Sequence, residues 1–208
     1  MKNELEMIQT LFEYQNFGLI PFPCKPFSKD IHDSSEGRLL YLKAVKGIQM
    51  TEDEIYKWFG EKKLDNCGLI LGEKGNLSIL EFDGEEKIET LYKDINNLEE
   101  SVSNLIFKNF IENLFESTTT ILTPEKKIQF WFKYSNKLPT YRYFEDHNID
   151  FIEGISIYSD NYIVAPPSFI RSKNFVDQYE IVFGKQPIMF PNEIDFFEKK
   201  LSKQSKFI

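Results

Sequence analysis

Leu77-Ser-Ile-Leu-Glu-Phe-Asp-Gly84 is the stretch on which the fold of this chain turns. Leu77, Ser78, Ile79 and Leu80 read as a mostly buried strand that Gly84 closes. Side chains alternate along a strand, so Glu81 and Asp83 point to the same side. Two carboxylates on one face at the end of a buried strand repel each other unless a cation or a donor sits between them. That geometry can hold a divalent metal for phosphoryl transfer. The competing reading is a strand running out into a solvated acidic turn, because Gly84-Glu85-Glu86 continues the negative run.

Upstream, Gly68-Leu-Ile-Leu-Gly72 is a second short apolar run. Before it, Thr51 to Glu54 forms a capping box that opens a short helix with Ile55, Trp58 and Phe59 on its inner face. Leu5, Ile8, Leu11 and Phe12 predict an opening amphipathic helix over Asn3 to Asn16, ended by Phe17-Gly18. Leu19 to Pro23 reads as a short strand whose prolines suit a sheet edge. Between Cys24 and Gln49 the pattern is irregular and carries Lys25, Lys29, Arg38, Lys43 and Lys46; it reads as a solvated loop, with a phosphate-contacting segment as the alternative.

Downstream, two helices follow, one through Ile88, Leu91, Tyr92, Ile95 and Leu98, the other from Val102 to Leu114, with a break at Asn96-Asn97. Thr118 to Thr123 is β-branched and strand-like. Lys127 to Tyr134 alternates, with Ile128, Phe130, Phe132 and Tyr134 on one face and Lys127, Gln129, Trp131 and Lys133 on a polar one. Pro124-Glu125-Lys126 joins these strands as a turn. Ile155 to Ile157 and Tyr162 to Val164 read as a strand pair turning at Ser159-Asp160-Asn161. Ala165-Pro-Pro-Ser168 cannot continue a central strand. Tyr179 to Phe183 is the last strand, and Pro191 opens a terminal helix. The expected architecture is α+β: a mixed or antiparallel sheet with packed helices, and a cleft at the acidic strand end. Residues 1–201 are read as one domain and 202–208 as a frayed tail.

Composition narrows the function. Of 208 residues 41% are hydrophobic and twenty are Phe, which marks a folded globule. A net charge of −8 excludes a protein that coats nucleic acid with its whole surface, so any such contact needs a local basic patch. Lys126, Lys127, Lys133, Lys137 and Arg142 are the densest positive segment, and Trp131 beside them reads first as a packing residue, with stacking on a base as the alternative. Cys24, Cys67, His32 and His147 stand without metal-ligand spacing, which argues against zinc and for reduced thiols in a cytoplasmic protein. No apolar run reaches transmembrane length.

Several pieces, in order, resemble one family. Phe17-Gly-Leu-Ile-Pro-Phe-Pro23, Asn66-Cys-Gly-Leu-Ile-Leu-Gly72, Leu80-Glu-Phe-Asp-Gly84, Thr123-Pro124 to Phe132 and Tyr162-Ile-Val-Ala-Pro-Pro-Ser168 are similar to motifs of bifunctional DNA primase/polymerase N-terminal domains. These form the prim-pol branch of the archaeo-eukaryotic primase superfamily. The resemblance implies two-metal nucleotidyl transfer with Mg2+ or Mn2+ held by carboxylates, and a His that contacts the nucleotide phosphates.

Carried over by position, the resemblance makes Glu81 and Asp83 the metal ligands, puts Gln129 at the His position and puts Ser156 at the third acid. Glu125, Lys126 and Lys127 replace its Gly-rich turn. An amide carries no charge to a phosphate, and a hydroxyl is a poor ligand for a hard divalent ion. Asp150, Glu153 or Asp160 could supply the missing charge only from a shifted strand or loop.

The resemblance therefore implies a prim-pol-like protein of a replication module, of plasmid or phage type, with a degenerate site. It would bind nucleotide, DNA or a partner such as a replication helicase, and nucleotidyl transfer would be weakened or lost. The alternatives are an active metal-dependent primase/polymerase and a protein-interaction module without a nucleotide site.

Overall fold

The computed structural model describes residues 2–96, 102–135, 155–171, 176–184 and 186–190. The break at Asn96-Asn97, the terminal helix, and Lys137, Arg142, His147, Asp150 and Glu153 wholly or partly lie outside them. Among the described residues, seven α-helices and eleven strands give the expected α+β class. A three-stranded and a six-stranded sheet dominate, beside a separate two-stranded one.

The chain opens with α1 (Lys2–Asn16), whose buried side is Met7, Ile8, Leu11 and Tyr14, while Leu5 is exposed. Strand β1 (Pro21–Pro23) lies at the edge of the smaller sheet, which has the order β1-β2-β7, with β2 at Cys67–Ile70 and β7 at Tyr162–Ala165. An edge tolerates two prolines because one side of the strand needs no ladder donors.

The supposed loop before Gln49 contains α2 (Ser35–Val45), capped by Ser34, whose hydroxyl accepts from the Gly37 N–H at 3.1 Å. Its periodicity is faint because only Gly37, Leu40 and Ala44 are buried, while Leu39, Leu42 and Val45 face outward. The capping box forms as expected. Glu54 N–H donates to Thr51 Oγ1 at 3.2 Å and Thr51 N–H to Glu54 Oε2 at 2.9 Å, opening α3 (Glu52–Ile55), which continues as a π-helical segment over Tyr56–Glu61. Thr51→Ala is expected to cost about 1 kcal/mol in a urea melt, since it orphans the Glu54 amide.

A single turn, α4 (Gly72–Gly75), carries the chain from β2 to β3 (Ser78–Phe82) in the larger sheet. Helices α5 (Glu85–Asn96), α6 (Val102–Glu112) and α7 (Leu114–Ser117) follow. Then come β4 (Thr119–Leu122), β5 (Ile128–Lys133) and β6 (Ile155–Tyr158). After β7 the chain adds β8 (Phe169–Arg171) and β9 (Val176–Gln178), which the sequence reading missed. It closes with β10 (Glu180–Phe183) and β11 (Ile188–Met189). The larger sheet runs β10-β4-β5-β3-β6, antiparallel throughout except that β11 pairs β5 in parallel.

The β6–β7 segment is not the hairpin expected from sequence. β6 pairs β3 in the larger sheet and β7 pairs β2 in the smaller. The turn between them, with Asn161 at φ 69°, hands the chain across and accepts the Leu71 N–H at 3.0 Å. Gly72, at φ +79°, lies against the Ser159 carbonyl, where an added Cβ would stand at 2.7 Å; only glycine suits both the backbone angle and the contact.

Strand β5 also differs from its half-buried reading. Phe130 and Phe132 pack with Phe82, Phe110, Phe115 and Phe190 on one face. The opposite face turns Trp131, with Ile79 and Ile121, into a core shared with α1 and the smaller sheet. Both faces of the larger sheet are therefore covered, and the polar groups on its inner side lie in a protected layer.

Candidate functional site

The strand registers assemble the site. Glu81 of β3 lies directly opposite Gln129 of β5 on one side and Ser156 of β6 on the other. Three of the four positions singled out in the sequence thus form one row across three adjacent strands. Asp83 follows just past the end of β3, on the face Glu81 occupies.

Glu81 is buried, with its side chain 8% exposed, and its carboxylate is fully engaged. Lys127 Nζ donates to Oε1 at 3.1 Å, the Tyr158 hydroxyl to the same oxygen at 3.2 Å, and Gln129 Nε2 to Oε2 at 2.7 Å. The Trp131 indole N–H in turn donates to Gln129 Oε1 at 3.3 Å, which fixes the amide with its NH2 toward Glu81. Lys127 reaches the second acid too, with Nζ 2.7 Å from Asp83 Oδ1.

The charges settle accordingly. Burial alone would lower the Lys127 pKa, but the hydrogen bond to Asp83 and the charge of Glu81 outweigh it and hold the ammonium well above the usual lysine range. Burial, and then the neighbouring Glu81 charge, push the Tyr158 phenol up, so it stays a neutral donor.

The other expected site residues are placed less favourably for a ligand. Lys126, in the turn before β5 at φ 63°, pairs with Asp177 at 3.1 Å. Glu125 beside it pairs with Lys29. Lys133 ends β5 six residues from Lys127, on the order of 20 Å along an extended strand, so these lysines do not make one patch. Trp131 is fully buried with its ring 5.7 Å from Tyr14, which leaves no face for a base; its reading as a stacking platform gives way to packing. Asp160 sits in the turn after β6 against Gly72, at the opposite end of β3 from Asp83, and is too far along the sheet to complete the carboxylate pair.

The residues present do not fit a divalent cation between Glu81 and Asp83. The ammonium of Lys127 occupies the space between the carboxylates, both oxygens of Glu81 already accept donors, and the row supplies a hydroxyl and an amide where further charge is needed. Among the described residues no group of three His, Cys, Asp or Glu side chains stands together in a way that could hold a metal. The sequence missed Tyr158. Its signal was its position, two residues after Ser156 and hence on the same strand face.

The motif residues away from this row have structural duties. Asn66, fully buried, donates from Nδ2 to the carbonyls of Lys25, Ser28 and Phe169 and accepts the Phe169 N–H at 2.9 Å. Ser168 accepts the Cys67 N–H at 2.9 Å and donates to the Cys67 carbonyl at 3.3 Å. An added Cβ on Gly68 would lie 2.5 Å from the Phe22 ring.

A family model described as bifunctional DNA primase/polymerase, N-terminal, matches residues 15–193. No curated protein matches the chain. No described helix is long and apolar enough to cross a membrane.

Proposed function

The chain belongs to the family of bifunctional DNA primase/polymerase N-terminal domains, and from that membership we propose that it serves a DNA replication module of plasmid or phage type with its nucleotidyl-transfer site weakened or lost. Its contribution is then to bind nucleotide, nucleic acid or a replication protein in the cytoplasm. The family's chemistry depends on divalent metal and on charge brought to a triphosphate. The observation that carries the proposal is the row Gln129–Glu81–Ser156, where the charged groups that chemistry needs are replaced by an amide and a hydroxyl and the remaining acids are neutralised from within.

Magnitudes support the reading. Removing one group that stabilises transition-state charge costs about a hundredfold to a thousandfold in rate, and groups that act as a unit fail together. The lysines that could have met a phosphate are held instead. Lys126 is paired with Asp177, and Lys127 with Glu81 and Asp83.

A primer-extension assay on a primed DNA template with Mg2+ or Mn2+ tests the proposal. The expected result is no template-directed product above the Asp83→Ala background. Extension that Asp83→Ala abolishes overturns it and restores the active primase/polymerase reading. Thermal-shift titration with a deoxynucleoside triphosphate and with single-stranded DNA then separates nucleotide or DNA binding from a purely protein-directed role.

A further inference from the structure

We infer that the Lys127 ammonium is the resident cation of the Glu81–Asp83 pair, a tethered side chain that takes the position a divalent ion would need and makes the native pocket metal-independent. The inference rests on the family reading above and deepens it, because it names what replaced the ion.

Geometry carries the argument. Nζ of Lys127 contacts both carboxylates, at 3.1 Å and 2.7 Å, so it lies between them. A second cation cannot share that space. Strand β5 delivers the lysine in register: Gln129 faces Glu81 directly, and Lys127 stands two residues earlier on the same face, level with the chain just beyond Phe82. The turn before it is tight, with the Lys127 carbonyl accepting the Thr123 N–H at 2.9 Å and the Lys127 N–H reaching Thr123 Oγ1 at 3.1 Å, so the lysine's backbone is fixed at the mouth of the site.

Chemistry completes it. A buried carboxylate needs a counter-charge, and Glu81 is buried while Asp83 is half-exposed. A tethered ammonium meets that need without an ion and pays no translational entropy for binding. Gln129 and Tyr158 satisfy the remaining lone pairs of Glu81 as neutral donors, which suits a structural carboxylate and leaves it few directions in which to ligate a metal. With Lys127 removed, the two acids face each other with no counter-ion among the groups described here. The pair then becomes a two-carboxylate site of the kind that binds Mg2+ or Mn2+ together with water.

The test is Mn2+ titration of the full chain, followed by the electron paramagnetic resonance of the free ion, on wild type, Asp83→Asn, Lys127→Ala, and Lys127→Ala combined with Asp83→Asn. Wild type is expected to bind no Mn2+ at 1:1 stoichiometry in the range where Lys127→Ala does, with at least a tenfold gain in affinity for the variant that Asp83→Asn removes. Wild-type binding that Asp83→Asn alone abolishes overturns the inference, as does a Lys127→Ala chain that binds no tighter than wild type. If Lys127→Ala unfolds for want of a counter-ion, Mn2+ should restore its melting transition; a variant that Mn2+ leaves unfolded also counts against the inference. Primer extension on the same wild-type sample separates this inference from the proposed function. Mn2+ binding without product overturns the resident cation alone, whereas product without Mn2+ at this pair overturns the loss of transfer alone.

Discussion

Trp131→Ala is expected to lower the unfolding free energy by about 3–5 kcal/mol, the range for truncating a large aromatic in a well-packed core. Trp131 is fully exposed to neighbours and not at all to water. Its ring lies against Tyr14 of α1 at 5.7 Å, its strand neighbours across the ladder are Ile79 and Thr119, and Thr118 Oγ1 donates to its carbonyl. It therefore joins the inner face of the larger sheet to the opening helix, where little else can slide in to fill the void.

The variant also releases Gln129, whose Oε1 accepts the indole N–H and whose NH2 then holds Glu81. Trp131→Phe should recover most of the packing but not that hydrogen bond. Urea melts of the two variants separate the contributions, with the Phe variant losing about 1–2 kcal/mol. A loss below about 1.5 kcal/mol for Trp131→Ala would mean that the two layers are not joined through this ring.

Much of this arrangement was legible in the residues. The alternation of β5 fixed which side chains share a face, the spacing of Glu81 and Asp83 placed both acids together, and the Thr51–Glu54 box marked a helix start. What the residues did not show was which face of β5 meets protein. Lys127, Gln129, Trp131 and Lys133 look like a wet surface by hydropathy, yet Gln129 and Trp131 are buried because a second layer from α1 and β2 covers them. Layering is a long-range fact that a period-two pattern cannot encode. Helix α2 escaped for a different reason: its outward Leu39, Leu42 and Val45 dilute the amphipathic signal. The apparent β6–β7 hairpin failed because a short turn between two strands is equally compatible with a crossing between sheets, and only the pairing of each strand decides.

The motifs divide by what they do. Asn66, Gly68 and Ser168 each meet a demand of the fold, respectively three backbone carbonyls, an aromatic ring at close range and a backbone pair on β2. Losing any of them would leave buried groups unpaired or force a clash. Gln129 serves both Glu81, to which it donates, and the Trp131 indole N–H, which it accepts, while Ser156 stands opposite Glu81 in the ladder.

The interior should also make this protein sensitive to alkali. Cys67 is fully buried, and burial pushes its thiol up to about 12 from 9.0. Its folded pKa lies above the value of about 8.5 in an unfolded chain, so the native state keeps a proton that the unfolded state releases. The sign follows: this contribution is fully present below about pH 8.5 and is lost as pH climbs from there toward the folded value. By pH 10 the loss from Cys67 alone reaches about 2 kcal/mol.

Cys24, raised chiefly by burial, acts in the same direction, as do the buried phenols of Tyr14 and Tyr179 above about pH 10. Urea melts at pH 7 and pH 10 under reducing conditions should therefore show a clear fall in stability, and Cys67→Ala should flatten it. The truncation costs something at pH 7 by loosening the contact with the Ala165 and Pro166 carbonyls, but the slope between the two pH values, not the height, reports the thiol. Wild-type stability that is unchanged at pH 10, or a slope that survives Cys67→Ala undiminished, would show that the thiol between β2 and the Pro166 turn is not held as the neutral form.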